Sequence, residues 1–467
     1  MSVRVAIVGG GISGLACAYA LSKEKNFDVH VLEAEERLGG KIFSDKVGAD
    51  ILFEGGPDSF ITAKPWALAL VRELGLEKDL LPTHPTKKDV YVYTRGKMRR
   101  LPDGLMLMAP TKVLPFLASD LVDWPTKLRM GLEMFLPAKR GDDDESMGDF
   151  ARRRFGTQAL ETIVGPILAG IFAGDPDRLS MASTFPQFVE LERKHRSLIL
   201  GMRAAKRPAP QNGLTMFMTL KGGLSSLVSA LREKLPEDAV RTGAAVLRVE
   251  KTGGGYALVL KSGETMQADR AVICAPAGAA APMLSNLDGK LSESLAAIPF
   301  SSTATVSLAY HAKDVAQNLD GFGFVVDRRE KRSVMAATYS STKFPGRVPP
   351  DKVLIRCFLG GAGREYAVSG SGEDLIAAVR SDIKDMIGVN ADPVAARTYR
   401  WSGANPQYNV GHGERVSRIE ERIAPYAGLV LAGASYKGVG IADCVRSGQE
   451  AAKRLISPEG ASVGAVC

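Results

Sequence analysis

Residues 3–41, VRVAIVGGGISGLACAYALSKEKNFDVHVLEAEERLGGK, constrain the fold of this chain more than any other stretch. Val3 to Val8 is an unbroken apolar, mostly β-branched run, the pattern of a parallel strand buried on both faces. Gly9, Gly11 and Gly14 follow at GxGxxG spacing, with Gly10, Ile12 and Ser13 filling the turn. Leu15, Ala18 and Tyr19 predict a helix over 12–22. Asp28 to Leu32 reads as the next strand, closed by Glu33. The three glycines serve different ends. Gly9 permits a tight turn, Gly11 lets a pyrophosphate approach the backbone, and Gly14 lets helix and strand pack closely. Free N–H groups and the positive dipole at the helix start favour phosphate. Glu33 can accept hydrogen bonds from ribose hydroxyls and would repel a 2′-phosphate. This order of elements predicts a dinucleotide site in a Rossmann-type unit.

Arg37-Leu38-Gly39-Gly40-Lys41 follows closely. It resembles the RxGG extension of the flavoprotein superfamily that holds amine oxidases, phytoene desaturases and protoporphyrinogen oxidases, which implies non-covalent FAD. Near the C-terminus, Gly428 to Gly433 reads as a short apolar strand with glycine at both ends. It is followed by a glycine loop (Gly433, Gly438, Gly440) and a helix in which Val445, Gln449 and Ala452 share a face. A helix start there would favour negative charge on a reduced flavin. Between the two ends, an amphipathic helix opened by Gly222-Gly223 runs to Leu235. Val246 to Val249, Tyr256 to Leu260 and Ala271 to Pro276 read as strands.

The chain has 467 residues, 45% of them apolar and 24% charged, with a net charge of +8. That excludes a disordered or fibrous protein and predicts more than one domain. Five scattered cysteines without a CxxC pair fit a reducing compartment, hence a cytoplasmic location. No run approaches about 18 apolar residues, so no transmembrane helix is expected. Nucleic-acid binding lacks a recognisable module or interleaved stacking aromatics. The acidic run Asp142 to Glu145 has no metal-ligand spacing and reads as a solvated helix start, so no metal is expected. Leu101 to Leu136 predicts short helices with apolar faces, broken by prolines; Leu105 to Leu136 could dock on a bilayer or pack on the substrate domain, and without a lysine-rich amphipathic face packing is favoured; Met147 to Gly170 reads as helical. Arg152 to Arg154 read as one solvated helix face, and His195 as a structural histidine.

Phe150 to Gly156 (FARRRFG), Gly170 to Pro176 (GIFAGDP), Ser183 to Pro186, His195 to Gly201 (HRSLILG), Gly321 to Phe324, Pro406-Gln407-Tyr408 with Gly411-His412, and Leu431 to Cys444 (LAGASYKGVGIADC) are similar to the protoporphyrinogen/coproporphyrinogen oxidase family. The resemblance covers nearly the whole chain. It implies a mixed α/β fold: a discontinuous FAD domain (1–62, 221–285, 424–467), a sheet-containing substrate domain (63–95, 205–220, 286–423) and a helical domain (96–204). It implies six-electron oxidation of a porphyrinogen in three FAD cycles, hydride passing to flavin N5 and O2 becoming H2O2. On the cofactor side it implies contacts from Gly9 to Gly14, Glu33, Ala34, Arg37, Gly40, Lys41, Gly56, Pro57, Asp58, Ser59, Val246, Trp401, Val439, Gly440 and Ile441. On the substrate side it implies Gly170, Phe322, Val325, Thr338 and Phe358, with no catalytic acid–base residue.

Many protoporphyrinogen oxidases carry a propionate-binding arginine where this chain has Val90. Arg95 and Lys97 are the substitutes expected here. The departure favours coproporphyrinogen III, which carries four propionates, over protoporphyrinogen IX. The clusters Lys87 to Arg100 and Arg193 to Arg207 would then steer a polycarboxylate. Expected partners are the tetrapyrrole and O2, with ferrochelatase and a peripheral membrane contact as further candidates, in a monomer or homodimer. The rival readings are a flavin amine oxidase or desaturase and a non-catalytic flavoprotein scaffold; Lys437 is expected to repel a cationic amine.

Overall fold

In the computed structural model, which describes residues 2–48, 50–205, 213–315, 319–457 and 465–467, three separated stretches of chain build one parallel sheet. Its order is Val240–Arg241, Phe27–Leu32, Val3–Val8, Arg270–Ile273, Leu429–Leu431 and Ala465–Val466. Val8 pairs with both Leu32 and Ile273, and Ile273 with Leu431, so these strands end level. The loops after them therefore open at one carboxyl edge, where ligands of open α/β sheets bind. The helices Ile12–Ser22 and Ile441–Ile456 cross there in close contact: a Cβ on Gly448 would lie 2.1 Å from the Ser13 carbonyl oxygen. Val246–Lys251, Tyr256–Leu260 and Thr265–Ala268 form a separate antiparallel sheet beside the parallel one.

A seven-stranded sheet runs in the order Ala395–Pro406, Phe300–His311, Lys352–Gly360, Val334–Tyr339, Gly323–Val326, Val90–Thr94 and Lys97–Arg100. Paired residues share a face, and the face alternates along each strand. One face carries Val306, Leu308, Ile355, Cys357 and Leu359 and packs on Leu375, Val379 and Ile383 of the helix Gly372–Ile387. The opposite face is divided. At one end Leu354 and Ala309 pack on Ile51 and Phe53 of the hairpin Ser44–Glu54. Further along, the helix Gly165–Phe172 lies over Val325 and Ala336.

Met147 to Gly170 is helical, as the sequence reads, but in successive pieces: Gly156 at φ +92° ends Met147–Phe155, and a wide π-turn over Leu160–Val164 leads into Gly165–Phe172. The helical region departs from the sequence reading in two ways. Arg152 to Arg154 are not a solvated face, since Arg154 is 0% exposed. Its guanidinium meets Glu133, lies 3.4 Å from Glu192, and donates to the carbonyls of Pro137 and Arg196. Glu133 in turn accepts from Ser197 Oγ at 2.5 Å and from Leu198 N at 2.8 Å, so it also caps the next helix, Leu198–Ala204. The strings FARRRFG and HRSLILG are thus stapled to one buried carboxylate. Secondly, Trp124, Leu128, Leu132 and Phe135 line up outward and exposed, while Lys127, Met130 and Glu133 on the same segment face inward. The apolar faces expected to pack inward are therefore partly on the surface, with the inward side taken by Met130, by Lys127 on the Leu117 carbonyl and by Glu133 on Arg154.

Candidate active site

The Gly9–Gly14 turn is built as the fingerprint demands. A Cβ on Gly14 would sit 1.9 Å from the Gly9 carbonyl oxygen, so helix and turn touch. A Cβ on Gly11 would meet nothing within 4 Å, which leaves open space beside the helix start. Gly11 is the N-cap of Ile12–Ser22 and no side chain caps that end. Gly440 stands in the same position before Ile441–Ile456, after Val439, again without a side-chain cap. Both helices begin without a side-chain cap, and the body of the second, at Gly448, crosses the start of the first at Ser13. Glu33 accepts from Gly10 N at 2.6 Å and from Glu35 N at 2.9 Å. Each carboxylate oxygen keeps acceptor capacity for a hydroxyl.

Arg37 plays a structural part that the sequence did not show. Its guanidinium turns back onto the carbonyls of Gly40 (2.6 Å), Leu38 and Ile42 and stacks on Phe43, holding the turn in which Gly39 and Gly40 take φ of +98° and +55°. That turn meets the nucleotide loop through Gly39 N to Gly10 O at 2.9 Å. Ala34 is exposed at the strand end, and Val246 is buried near it, where Ala244 N donates to the Glu33 carbonyl. Burial pushes the Lys41 ammonium pKa down, and no hydrogen-bond partner meets it among the described residues. The Lys41 carbonyl abuts Gly56, and Trp401 Nε1 donates to Gly55 O at 2.9 Å. Gly56, Pro57, Asp58 and Ser59 follow as a half-buried turn.

Beneath that turn lies a cluster that sequence reasoning missed. Lys343 Nζ lies 3.0 Å from Asp58, and Ser59 Oγ donates to Asp58 at 2.6 Å. Burial alone would raise the Asp58 pKa; the Lys343 ammonium and Arg356 guanidinium overcome it and hold the carboxyl well below the usual range. Arg356 donates to the Gly56 carbonyl and stacks on Phe358, 4.6 Å from the ring centre. Arg347 lies 3.3 Å from Glu54. The signal was present: Arg356 interrupts the otherwise apolar run VLIRCFL.

The predicted substrate residues largely converge. Val325 pairs with Ala336, Ala336 with Phe358, and Gly323 with Thr338, which pairs with Arg356, all on one face of the sheet. Gly170 is exposed above this floor; a Cβ there would stand 3.5 Å from Val325 Cγ1 and 3.8 Å from Ala336 Cβ. Phe322 sits at the entry to that strand, its carbonyl accepting from Tyr339 N. Thr305, which pairs with Phe358, donates through Oγ1 to Gly55 O at 2.8 Å. The floor therefore runs directly under the Gly55–Ser59 turn. Arg95 and Lys97 are not brought there: Arg95 donates to the carbonyls of Asp120 and Leu121, and Lys97 is exposed on the sheet's far edge strand. That edge is four strand spacings from Phe358, about 19 Å.

The motif halves Gln407-Tyr408 and Gly411-His412 also meet here. Tyr408 stacks on His412 (centroids 4.0 Å apart) and donates to Ala434 O, while Gly438 N donates to the Tyr408 hydroxyl and His412 Nε2 lies 2.9 Å from Tyr436 O. They brace the loop before Ile441–Ile456. Lys437 turns away to pair with Glu420, so the repulsion expected from it does not operate inside the cleft. Part of the basic excess is paired: Arg99 meets Asp120, Arg100 meets Asp89, and Arg193 meets Asp142, while Lys206 and Arg207 lie outside the described residues. A separate cavity of about 350 Å³ between 173–177, 326–329 and 360–364 is lined by none of the predicted residues.

A sheet edge with two uncapped helix starts, an anchored acid and a second sheet under a glycine turn define a flavin-dependent oxidoreductase. Residues 12–456 match the family described as flavin containing amine oxidoreductase, and the chain belongs to it. Within it the chain groups with the porphyrinogen oxidases. Coproporphyrinogen III oxidase of Bacillus subtilis is 39% identical over 96% of this chain and 97% of its own length. The Staphylococcus aureus protein of the same name is 32% identical over 98% and 100%, and human protoporphyrinogen oxidase 30% over 98% and 99%. A crystal structure from an Exiguobacterium species, provisionally assigned as a protoporphyrinogen oxidase, superposes with a TM-score of 0.86 at 32% identity, covering 97% of this chain and 98% of that one. Putrescine oxidase, at 16% identity and a TM-score of 0.70 over 98% and 99% of the two chains, shares the fold.

Proposed function

We propose that the chain oxidises coproporphyrinogen III to coproporphyrin III, with O2 as final acceptor, and takes protoporphyrinogen IX less well. The observation that carries this is the broad floor of Val325, Ala336, Thr338 and Phe358, left open under Gly170 and adjoining the Gly55–Ser59 turn. A large macrocycle whose pyrrole core is apolar and whose propionates extend from its rim fits such a surface. The 39% identical Bacillus subtilis relative, a coproporphyrinogen III oxidase, supports the substrate.

The uncapped helix starts at Gly11 and Gly440, the anchored Glu33 and the open space at Gly11 suit FAD. When bound, FAD supplies the two-electron acceptor, so six electrons leave in three rounds, each matched by one O2 reduced to H2O2. The protein's part is to seat the macrocycle on the floor, with Phe358 and Val325 beneath it and Gly170 leaving it room. Asp58, kept ionised by its cations, accepts hydrogen bonds there and is a poor proton acceptor. The domain division 1–62, 221–285 and 424–467 against 63–95, 205–220 and 286–423, with 96–204 helical, fits this reading except at Lys97–Arg100, whose pairing with Val90–Thr94 carries the substrate sheet to residue 100.

Among the described residues no helix is long and apolar enough to cross a membrane. We place any peripheral membrane or ferrochelatase contact at the outward stripe of Trp124, Leu128, Leu132 and Phe135; cosedimentation with vesicles, lost in Leu128→Glu, checks it. The amine-oxidase reading is disfavoured by the net-positive cluster under the cleft, which repels a cationic amine.

The test is anaerobic addition of substrate to the yellow holoprotein. Coproporphyrinogen III bleaches the flavin, and air restores it as porphyrin fluorescence rises. Bleaching by an amine alone would establish the rival, and no bleaching by either would leave a scaffold.

A further inference from the structure

The buried cluster under the Gly55–Ser59 turn is out of balance. Lys343, Arg347 and Arg356 face the carboxylates Glu54 and Asp58, three cations against two anions. Glu54 is committed elsewhere: it accepts from Ser44 Oγ at 2.7 Å and Leu224 N at 3.0 Å and pairs with Arg347. Asp58 is committed to Lys343. Arg356 is the cation left over. It is 4% exposed, and among the described residues its Nε has no hydrogen-bond partner. An uncompensated buried charge is costly, and its field is strong where water is excluded. It is tolerated here at one location: its fork ends on the Gly56 carbonyl, its plane lies on Phe358, and its cross-strand neighbour is Thr338. One side chain thus joins the proposed cofactor turn to the proposed substrate floor.

We propose that Arg356 is a positioning residue for the redox step: it ties the Gly55–Ser59 turn to the Phe358 floor and, as the surplus cation of the buried cluster, favours the negative charge that a hydride brings into the site. Protein charges near the flavin ring are an established lever on its electronics. The proposal rests on the flavin reading of the site and is independent of the tetrapyrrole, since its test uses no substrate.

The experiment measures the midpoint potential of the flavin bound to the holoprotein by dye equilibration, together with the FAD dissociation constant. Arg356→Met removes both fork and charge. Its two-electron reduction equilibrium falls at least tenfold, about 30 mV toward more negative potential. Arg356→Lys keeps the charge, holds the potential within threefold of the parent, and weakens FAD by loosening the Gly56 turn. Asp58→Asn removes an anion from the same cluster and moves the potential the opposite way. Equal shifts in Arg356→Met and Arg356→Lys would overturn the charge argument, as would an unchanged potential in Arg356→Met. Should Arg356→Met lose its flavin, Arg356→Lys and Asp58→Asn decide: the proposal falls if Asp58→Asn leaves the potential unmoved or lowers it.

Discussion

Replacing Gly11 and Gly14 separately by alanine distinguishes a ligand cradle from a packing contact. Gly11 has φ −70° and ψ 175°, a conformation open to alanine, and its Cβ would meet nothing within 4 Å. The apoprotein of Gly11→Ala therefore folds with unchanged stability. The new methyl instead occupies the space through which a pyrophosphate approaches the helix start, so the loss appears only in FAD affinity. A weakening of tenfold or more, about 1.4 kcal/mol or above, is expected. At Gly14 the Cβ would lie 1.9 Å from the Gly9 oxygen and 3.1 Å from the Gly9 carbonyl carbon. Ordinary contact requires an opening of about 1.5 Å between helix and turn, an overpacking that costs about 1–3 kcal/mol or more. Gly14→Ala thus loses stability without FAD and affinity with it. Flavin fluorescence titration and apoprotein thermal melts read the two effects. A Gly11→Ala protein that binds FAD like the parent would refute the placement of the pyrophosphate.

Glu133→Gln leaves the buried Arg154 with only a distant anion, Glu192 at 3.4 Å, and urea unfolding should show a loss of about 3–5 kcal/mol. Arg193→Gln, which breaks the exposed pair with Asp142, should cost under about 1 kcal/mol. Burial lowers the His412 imidazole pKa to about 4. The unfolded chain therefore takes up the proton first, and the stability this group contributes is complete above about pH 6.5 and lost as pH falls toward 4, about 3 kcal/mol in all. Parallel stability–pH curves for the parent and His412→Gln would show that the histidine has no such part. Gly170→Leu should raise KM for the porphyrinogen tenfold or more while leaving the bound-flavin spectrum and the melt unchanged; an unchanged KM would remove Gly170 from the cleft.

The nucleotide unit was legible because its information is local: Val3 to Glu33 contains strand, turn, helix and acid in one run, and the structure places the helix at Ile12–Ser22 as the spacing predicts. The substrate floor was legible in part, since Val325, Thr338 and Phe358 could be named from resemblance while their shared face is a matter of register. What stayed hidden depends on distant partners. Arg154 reads as surface charge until Glu133 and Glu192, 21 and 38 residues away, are folded against it. Arg356 meets Gly56 across 300 residues. The short helices of residues 101–136 were legible as apolar, but not which side of residues 124–135 faces solvent; the burial of Glu133, Lys127 and Met130 on the other side decides that.

The central claim is tested most directly by the ratio of kcat/KM for coproporphyrinogen III to that for protoporphyrinogen IX, measured on the FAD-loaded protein from the rise of porphyrin fluorescence. The account predicts turnover of both with a ratio well above one. A ratio below one would contradict the substrate assignment, and no porphyrin from either would contradict the function as a whole.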